Sequence, residues 1–256
     1  IAGEALCAIA LTEPSAGSDA ANLKLKAEKK GDVYVLNGEK TSISAAAQAD
    51  IAVVFARTGT TEEKAKGVSA FLVPLDNPKI ERTHFDDLGE SVVGRGSLFF
   101  DDVEVPEENI LGEEGLGFIQ VMQGFDYSRA LMGLECLAAA KKSVEEAWEQ
   151  VTTREAFGKK ISKFEGLSFP LAEAETYIEA AKLLCYKTLW LRDQGQPHTA
   201  EAAMCKWWAP KVSFEIIHNC LLAHGHGGYS KDYPIQQRLR DVLGLQIGDG
   251  TSQIQK

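Results

Sequence analysis

No two of the five cysteines in this 256-residue sequence are spaced as CxxC, and no Cys/His ligand pattern accompanies them. That absence argues against a dithiol redox motif and against a structural zinc site of ordinary spacing. His224 and His226 flank Gly225 without a second pair nearby, so no metal is expected. Cys7, Cys136, Cys185, Cys205 and Cys220 are odd in number and scattered, which fits buried free thiols in a reducing compartment, the cytoplasm. Basic residues are also in deficit: 27 Lys and Arg face 37 Asp and Glu, for a net charge of −10. A nucleic-acid partner is thereby disfavoured, because neutralising phosphates takes a basic face. An anionic ligand held by a local cluster of donors remains compatible. No apolar run approaches the roughly 20 residues of a membrane span. The opening Ile1-Ala2-Gly3-Glu4 has neither an initiator Met nor the charged and apolar regions of a signal peptide, so the sequence reads as an excerpt. Internal repeats and low-complexity segments are lacking too.

What is present is an ordinary globular balance, 45% apolar and 25% charged, long enough for one large or two smaller cores. From Leu6 to about Val105 the apolar residues alternate with the period of strands. Leu23 to Ala27 alternates cleanly, Val33 to Leu36 runs into Asn37-Gly38, a strong hairpin signal, and Ile51 to Ala56 and Val68 to Val73 are near-continuous apolar runs. Phe99 to Val105 reads as one more strand, closed by Pro106. After Gly112-Glu113-Glu114-Gly115 the spacing becomes helical, with helices expected at about Leu116 to Val151, Lys163 to Gln194, Thr199 to His224 and Tyr233 to Leu243. Ser162-Lys163-Phe164-Glu165 matches a capping box, and Gly195-Gln196-Pro197 is a helix stop followed by a restart. The expected fold class is α+β: a β-barrel-like domain over residues 1–110, then a four-helix bundle over residues 111–256.

Four segments in register resemble the acyl-CoA dehydrogenase family across essentially the whole chain. They are Leu11-Thr12-Glu13-Pro14-Ser15-Ala16-Gly17-Ser18-Asp19, Asn37-Gly38-Glu39-Lys40-Thr41-Ser42-Ile43-Ser44, Arg154-Glu155-Ala156-Phe157-Gly158-Lys159 and Asp249-Gly250-Thr251-Ser252-Gln253-Ile254-Gln255-Lys256. The resemblance implies an N-terminal helical domain upstream of this sequence, the middle β domain and C-terminal bundle seen in it, and FAD between those two. It also implies a homotetramer, electron transfer flavoprotein as acceptor, and an acyl-CoA thioester as substrate.

Dehydrogenation across the α,β-carbons of a thioester needs a base for the α-proton and an acceptor for the β-hydride; in the family the acceptor is flavin N5. A shielded carboxylate suits the base, since burial brings a carboxyl group's proton affinity towards the working range. The family places a Glu before Gly-Thr; this chain has Asp249, one methylene shorter, with roughly 1.5 Å less reach. The family's other location for the base, on the first bundle helix one residue before an Arg, holds Ser128 before Arg129, so Asp249 is the only acid at either place. By resemblance Leu11, Thr12 and Ser44 meet the flavin ring, and Ser42 stands where many relatives pack a Trp on it. Arg154 corresponds to a residue that reaches the FAD diphosphate of a neighbouring subunit, its planar fork suited to paired oxygens, with Phe157 against the cofactor. Gly225, Thr251 and Gln253 are further implied FAD contacts. Ser18, Asp126, Arg129 and Gly250 are implied contacts of the CoA thioester, and Asp126 and Arg129 also read as an intrahelical ion pair. Glu165 stands where relatives often have a cofactor-touching Gln, and capping explains it more economically.

Asp for Glu, the small residue at 42 and the Thr41-Ser42-Ile43-Ser44 stretch together resemble the cyclohexanecarboxyl-CoA dehydrogenases of alicyclic acid degradation. A ring carboxyl thioester has a tertiary α-carbon, which suits a repositioned base. The alternatives are a cyclohexenecarboxyl-CoA 1,4-dehydrogenase, a nitroalkane oxidase-like flavoenzyme, and a non-catalytic flavin-fold scaffold.

Overall fold

The computed structural model describes residues 2–256; Ile1, where the expected first domain opens, lies outside them. The described chain divides into two compact units that adjoin in sequence at Gln123 and Gly124. The first holds seven strands, β1 (Cys7–Ala10), β2 (Lys26–Lys30), β3 (Val33–Ser44), β4 (Ile51–Arg57), β5 (Val68–Pro74), β6 (Ile80–Arg82) and β7 (Arg95–Pro106). They form one mixed sheet in the order β1-β4-β2-β3-β7-β6, with β5 paired to the other side of β4. The two longest, β3 and β7, are antiparallel partners, and β1 runs parallel to β4. Alternation explains which side each residue takes: Ala8 and Ala10 enter the core while Cys7 and Ile9 face out. Expectation and structure part here, because Cys7 is exposed and only the other four thiols are buried.

The turn between β2 and β3 is made at Gly31-Asp32, where Gly31 takes φ +68°. Asn37-Gly38 does not form a hairpin; it lies inside β3, at a register shift between Leu36 and Gly38 opposite β7. The Asn37 amide exchanges two 2.9 Å hydrogen bonds with Asp102 of β7, and a Cβ at Gly38 would come within 3.1 Å of the Leu25 backbone. Asn-Gly here serves a bulge and a close chain crossing, uses that share its tolerance of unusual backbone angles. Leu23 to Leu25 are likewise not strand. Their neighbours in space are carboxylate oxygens, with the amides of Lys24 and Leu25 donating to Glu13 at 2.6 and 2.8 Å. The strand starts only at Lys26.

The second unit is helical: α1 (Gly117–Thr153, from Gly124 onward in this unit), α2 (Glu165–Asp193), α3 (Thr199–Ala223), the short α4 (His226–Tyr229), α5 (Ile235–Gly244) and the short α6 (Ser252–Gln255). On α1 the buried residues Cys136, Leu137, Ala140, Val144, Ala147 and Val151 recur at helical spacing and share one core cluster with Cys205, Ala209, Val212, Ile216 and Cys220 of α3. Small side chains let the helices approach closely: a Cβ on Gly133 would stand 2.8 Å from the Cys185 sulfur and 3.3 Å from Ala209 Cβ. Arg238 of α5 clamps Glu146 of α1 with two bonds of 2.7 and 2.8 Å, and this pairing holds the Glu146 carboxyl below its usual range. The capping box at Ser162 is not formed. Ser162 lies in a single 3-10 turn, Phe164 occupies the N-cap of α2 without a side-chain cap, and Glu165 is the first helical residue. The Phe164 ring instead stacks under the Lys159 ammonium at 4.2 Å, so ring packing rather than capping sets the entry into α2.

Candidate active site

In the helical unit the structure gathers Asp126, Ser128, Arg129, Asp249 and Gly250. Asp249 and Gly250 form the turn before α6, at φ +52° and +96°. Asp is among the few residues that tolerate this region. At φ +96° the second position strains any residue with a Cβ, and a Cβ on Gly250 would also displace the Gln255 side-chain amide, 2.2 Å away. Ser128 Oγ of α1 donates to Asp249 Oδ2 at 3.1 Å, and Arg129 Nε donates to the Asp249 carbonyl at 3.2 Å. Asp249 Oδ1 has no protein hydrogen bond among the described residues, which leaves one oxygen of an oriented carboxylate free to take a proton. Arg129 pairs with Asp126 at 3.2 Å, the intrahelical i,i+3 pair, and Asp126 also accepts from Thr199 Oγ1 at 2.5 Å. Thr251 and Gln253 follow in the N-cap and first turn of α6, their side chains without protein hydrogen bonds among the described residues.

Lys206 belongs to this group, and sequence reading did not single it out. Its ammonium donates to the Gly250 carbonyl at 3.1 Å and is completely buried. The signal available was its position: Lys206 falls on the apolar stripe of α3, four residues after Ala202 and three before Ala209, where a charge is out of place. Burial brings its pKa down from 10.5 to about 8, against the raising effect of the Asp249 charge. In the window between these values the unfolded chain holds the extra proton, so stability rises with pH across it. Below the window the buried ammonium costs on the order of 3 kcal/mol, at about 1.4 kcal/mol per pH unit. Lys206→Met loses a hydrogen bond worth about 1 kcal/mol. The variant is therefore expected to be more stable at neutral pH by roughly 2 kcal/mol. That advantage should shrink as pH climbs from 8 towards 10.5, measured by denaturant melts across the window.

In the sheet unit a second group forms around Leu11 and Thr12. The Thr41 amide donates to the Thr12 carbonyl at 2.9 Å, and the buried Lys40 ammonium binds both the Leu11 carbonyl at 3.0 Å and Glu13 Oε1 at 2.8 Å. Ser42, at φ +57°, lies in a second irregularity of β3, where pairing with β7 shifts between Lys40 and Ile43. Bulges of this kind re-aim side chains and recur beside functional sites. Thr12, Ser42 and Ser44 carry no side-chain hydrogen bonds among the described residues. Ser18 is exposed on the loop that ends at Asp19.

Arg154 and Phe157 belong to neither group. They lie on a small hairpin, β8 (Glu155–Ala156) and β9 (Lys159–Lys160), whose two-residue turn has positive φ at both Phe157 (+53°) and Gly158 (+74°). Phe157 is 94% exposed with its ring edge against Phe164, and Arg154 has no acidic partner among the described residues. Gly225 caps α4 at φ +61°, a conformation that favours glycine.

The family model of the acyl-CoA dehydrogenase middle domain matches residues 8–103 and that of the acyl-CoA dehydrogenase C-terminal domain matches residues 115–256. The chain belongs to the acyl-CoA dehydrogenase family, FAD-dependent oxidoreductases that act on CH–CH bonds. It is 35% identical to the probable acyl-CoA dehydrogenase YngJ of Bacillus subtilis over 255 residues, which cover 99% of this chain and 67% of the relative. It is 36% identical to subunit CarC of the caffeyl-CoA reductase-Etf complex of Acetobacterium woodii, covering 100% of this chain and 68% of the relative. Butyryl-CoA dehydrogenase from Megasphaera elsdenii superposes with a TM-score of 0.94 at 36% identity, over 98% of this chain and 66% of the other. The chain thus spans about two thirds of the length of these relatives. No helix among the described residues is long and apolar enough to cross a membrane.

Proposed function

We propose that Asp249 is the base of an FAD-dependent α,β-dehydrogenation of an acyl-CoA thioester, and that the acyl group is a ring carboxylate of the cyclohexanecarboxyl type. One observation carries the reading: the Asp249 carboxylate is oriented through Oδ2 by Ser128, while Oδ1 has no protein partner among the described residues. A base must be fixed in direction yet keep one oxygen unoccupied, and this carboxylate meets both conditions. FAD, when bound, accepts the hydride from the β-carbon. Thr12 and Ser44 offer hydroxyls to its polar edge, and Arg154 offers a planar donor pair to the diphosphate of the FAD held by a neighbouring subunit. Arg129 fixes the Asp249 carbonyl and so holds the base's backbone while the proton moves to Oδ1. The shorter side chain favours a substrate whose α-carbon is held closer, which is the argument for a compact ring over an extended chain. The Etf named in the Acetobacterium relative's complex supports electron transfer flavoprotein as the physiological acceptor, and a homotetramer is the proposed assembly. Steady-state assays on a panel of thioesters test the substrate. Cyclohexanecarboxyl-CoA should exceed butyryl-CoA in kcat/KM by about tenfold or more, the discrimination one well-fitted apolar contact supplies. A preference for butyryl-CoA would reject the ring assignment and leave the base assignment standing.

A further inference from the structure

We infer that Ser97 is a positioning residue for the flavin-facing segment of β3: its hydroxyl, bridging Glu39 and Thr41, locks the bulge that keeps Ser42 and Ser44 turned outward. The inference rests on the reading of Ser44 as a flavin contact and names what holds that contact in place.

The bulge decides which way β3 presents its side chains. Lys40 is fully buried, so strict alternation would bury Ser42 and Ser44 and expose Ile43. Instead Ile43 is 2% exposed, Ser42 is partly accessible and Ser44 is exposed. The cause is the register shift: Lys40 faces Leu98 and Ile43 faces Gly96, which sets Thr41 and Ser42 together against Ser97. One extra residue thus inverts the phase of the strand, and a slip that removed it would carry both serines inward.

Ser97 is the residue of β7 opposite that insertion, and it is 4% exposed. Its Oγ bridges Glu39 Oε1 at 3.1 Å and Thr41 Oγ1 at 3.0 Å. Thr83 fixes the Ser97 backbone from the other side, donating its amide to the Ser97 carbonyl at 3.0 Å and accepting from the Ser97 amide through Oγ1 at 2.9 Å. The Thr41 amide donates to the Thr12 carbonyl at 2.9 Å, so the lock joins both segments that the resemblance assigns to the flavin ring. Ser42 holds φ +57°, a conformation that costs free energy for a serine and persists only where neighbouring contacts enforce it. Glu39 and Thr41 are half-buried and can turn to water if Ser97 is lost, so the network adds little to stability and its effect falls on register.

The test uses the FAD-loaded full-length protein and the variants Ser97→Ala, Thr41→Val and Thr41→Ser. Thr41→Val is close to isosteric and keeps the amide to Thr12 but loses the hydroxyl; Thr41→Ser keeps both. Thr58→Val is the comparison, because it breaks a hydroxyl pair of the same sheet unit away from the bulge, Thr58 Oγ1 with Ser69 Oγ at 2.8 Å. The dissociation constant of oxidised FAD, the two-electron midpoint potential and deuterium exchange of the amides of residues 41–45 are measured. Ser97→Ala and Thr41→Val should weaken FAD about fivefold, the worth of roughly one hydrogen bond, and speed exchange at 41–45 by a similar factor. Reduced FAD should loosen about threefold further, because donors at the polar edge favour the anionic reduced ring. That difference lowers the midpoint potential by about 15 mV. Thr41→Ser should stay close to wild type in all three measurements, and Thr58→Val should lose comparable stability with FAD affinity and potential unchanged. Wild-type exchange, affinity and potential in Ser97→Ala, or the same shifts in Thr58→Val, overturn the inference; Thr41→Val carries the decision if Ser97→Ala does not fold. Ser44→Ala separates the inference from the reading beneath it. If Ser44→Ala leaves the potential unmoved while Ser97→Ala shifts it, Ser44 is not the flavin contact and the lock acts through another residue of the segment.

Discussion

Asp249→Asn is expected to slow reduction of the bound flavin by an acyl-CoA substrate about 10³-fold, within the range a positioned general base contributes. The substitution is close to isosteric, and its structural consequences are small. Asn is as tolerant as Asp of the φ of +52° at this position, and its Oδ1 can still accept from Ser128. Arg129 and Lys206 hold backbone carbonyls, which the substitution does not touch. The variant should therefore fold, keep its FAD and bind CoA thioesters with near-normal affinity. What it loses is the oxygen that takes the α-proton. Anaerobic stopped-flow bleaching of the flavin reads this step alone, and the loss should fall on the rate constant rather than on the substrate dependence. Asp249→Glu sharpens the experiment, because it extends the carboxylate by roughly 1.5 Å. If reach sets the substrate, the Glu variant should gain on butyryl-CoA relative to cyclohexanecarboxyl-CoA. Bleaching by Asp249→Asn at a rate close to wild type would show that another group removes the proton and would end the proposed mechanism.

The elements legible in the sequence were those with long, consistent periodicity. α1, α2, α3 and α5 begin and end within about two residues of expectation because each is a long segment of helical spacing, and β4 and β5 do so because each is an apolar run of strand length rich in β-branched and aromatic residues. The failures have physical causes. Asn37-Gly38 and Leu23 to Leu25 were read by local rules and overridden by partners elsewhere in the chain, Asp102 and Glu13, while at Ser162 a competing local contact, Lys159 over the Phe164 ring, took the place of the cap. Local sequence cannot announce such partners. The candidate site divides in the same way. Asp249, Ser128 and Arg129 could be named from motif positions, but their mutual contacts run between residues about 120 apart. Lys206 carries no motif, and its only trace in the sequence is a charge on an apolar face. Glu13 was read as part of a motif, and its bond to Lys40 could not be.

That bond supports the second large effect. Glu13→Gln is expected to destabilise the sheet unit by roughly 3 to 5 kcal/mol, the range for breaking a buried pair by removing one partner, and to lower its melting temperature by on the order of 10 °C. Glu13 is 5% exposed and its two oxygens serve three donors: Oε1 takes the Leu25 amide and the Lys40 ammonium, and Oε2 takes the Lys24 amide. A glutamine has one acceptor oxygen and must turn its NH2 towards one of those donors. Lys40, with no exposed surface, then keeps only the Leu11 carbonyl. Ordinarily, replacing both members of a buried pair by apolar residues recovers most of the loss. Here the double variant Glu13→Leu/Lys40→Met should stay destabilised by about 2 kcal/mol or more, because the amides of Lys24 and Leu25 would remain buried without an acceptor. Solvent pH gives an independent reading. Burial, opposed by Glu13, lowers the Lys40 pKa from 10.5 to about 8, so between those values the unfolded chain carries the additional proton and the lysine's contribution to stability rises with pH. Wild type should therefore gain on Lys40→Met as pH climbs from 8 to 10.5 in urea melts. A difference independent of pH in that window would mean that Lys40 keeps its proton in the folded protein throughout, as the unfolded chain does, and that burial does not lower its pKa. Because the pair fastens Leu11 and, through the neighbouring Thr41 amide, Thr12, the same variants should release FAD more readily in proportion to their loss of stability.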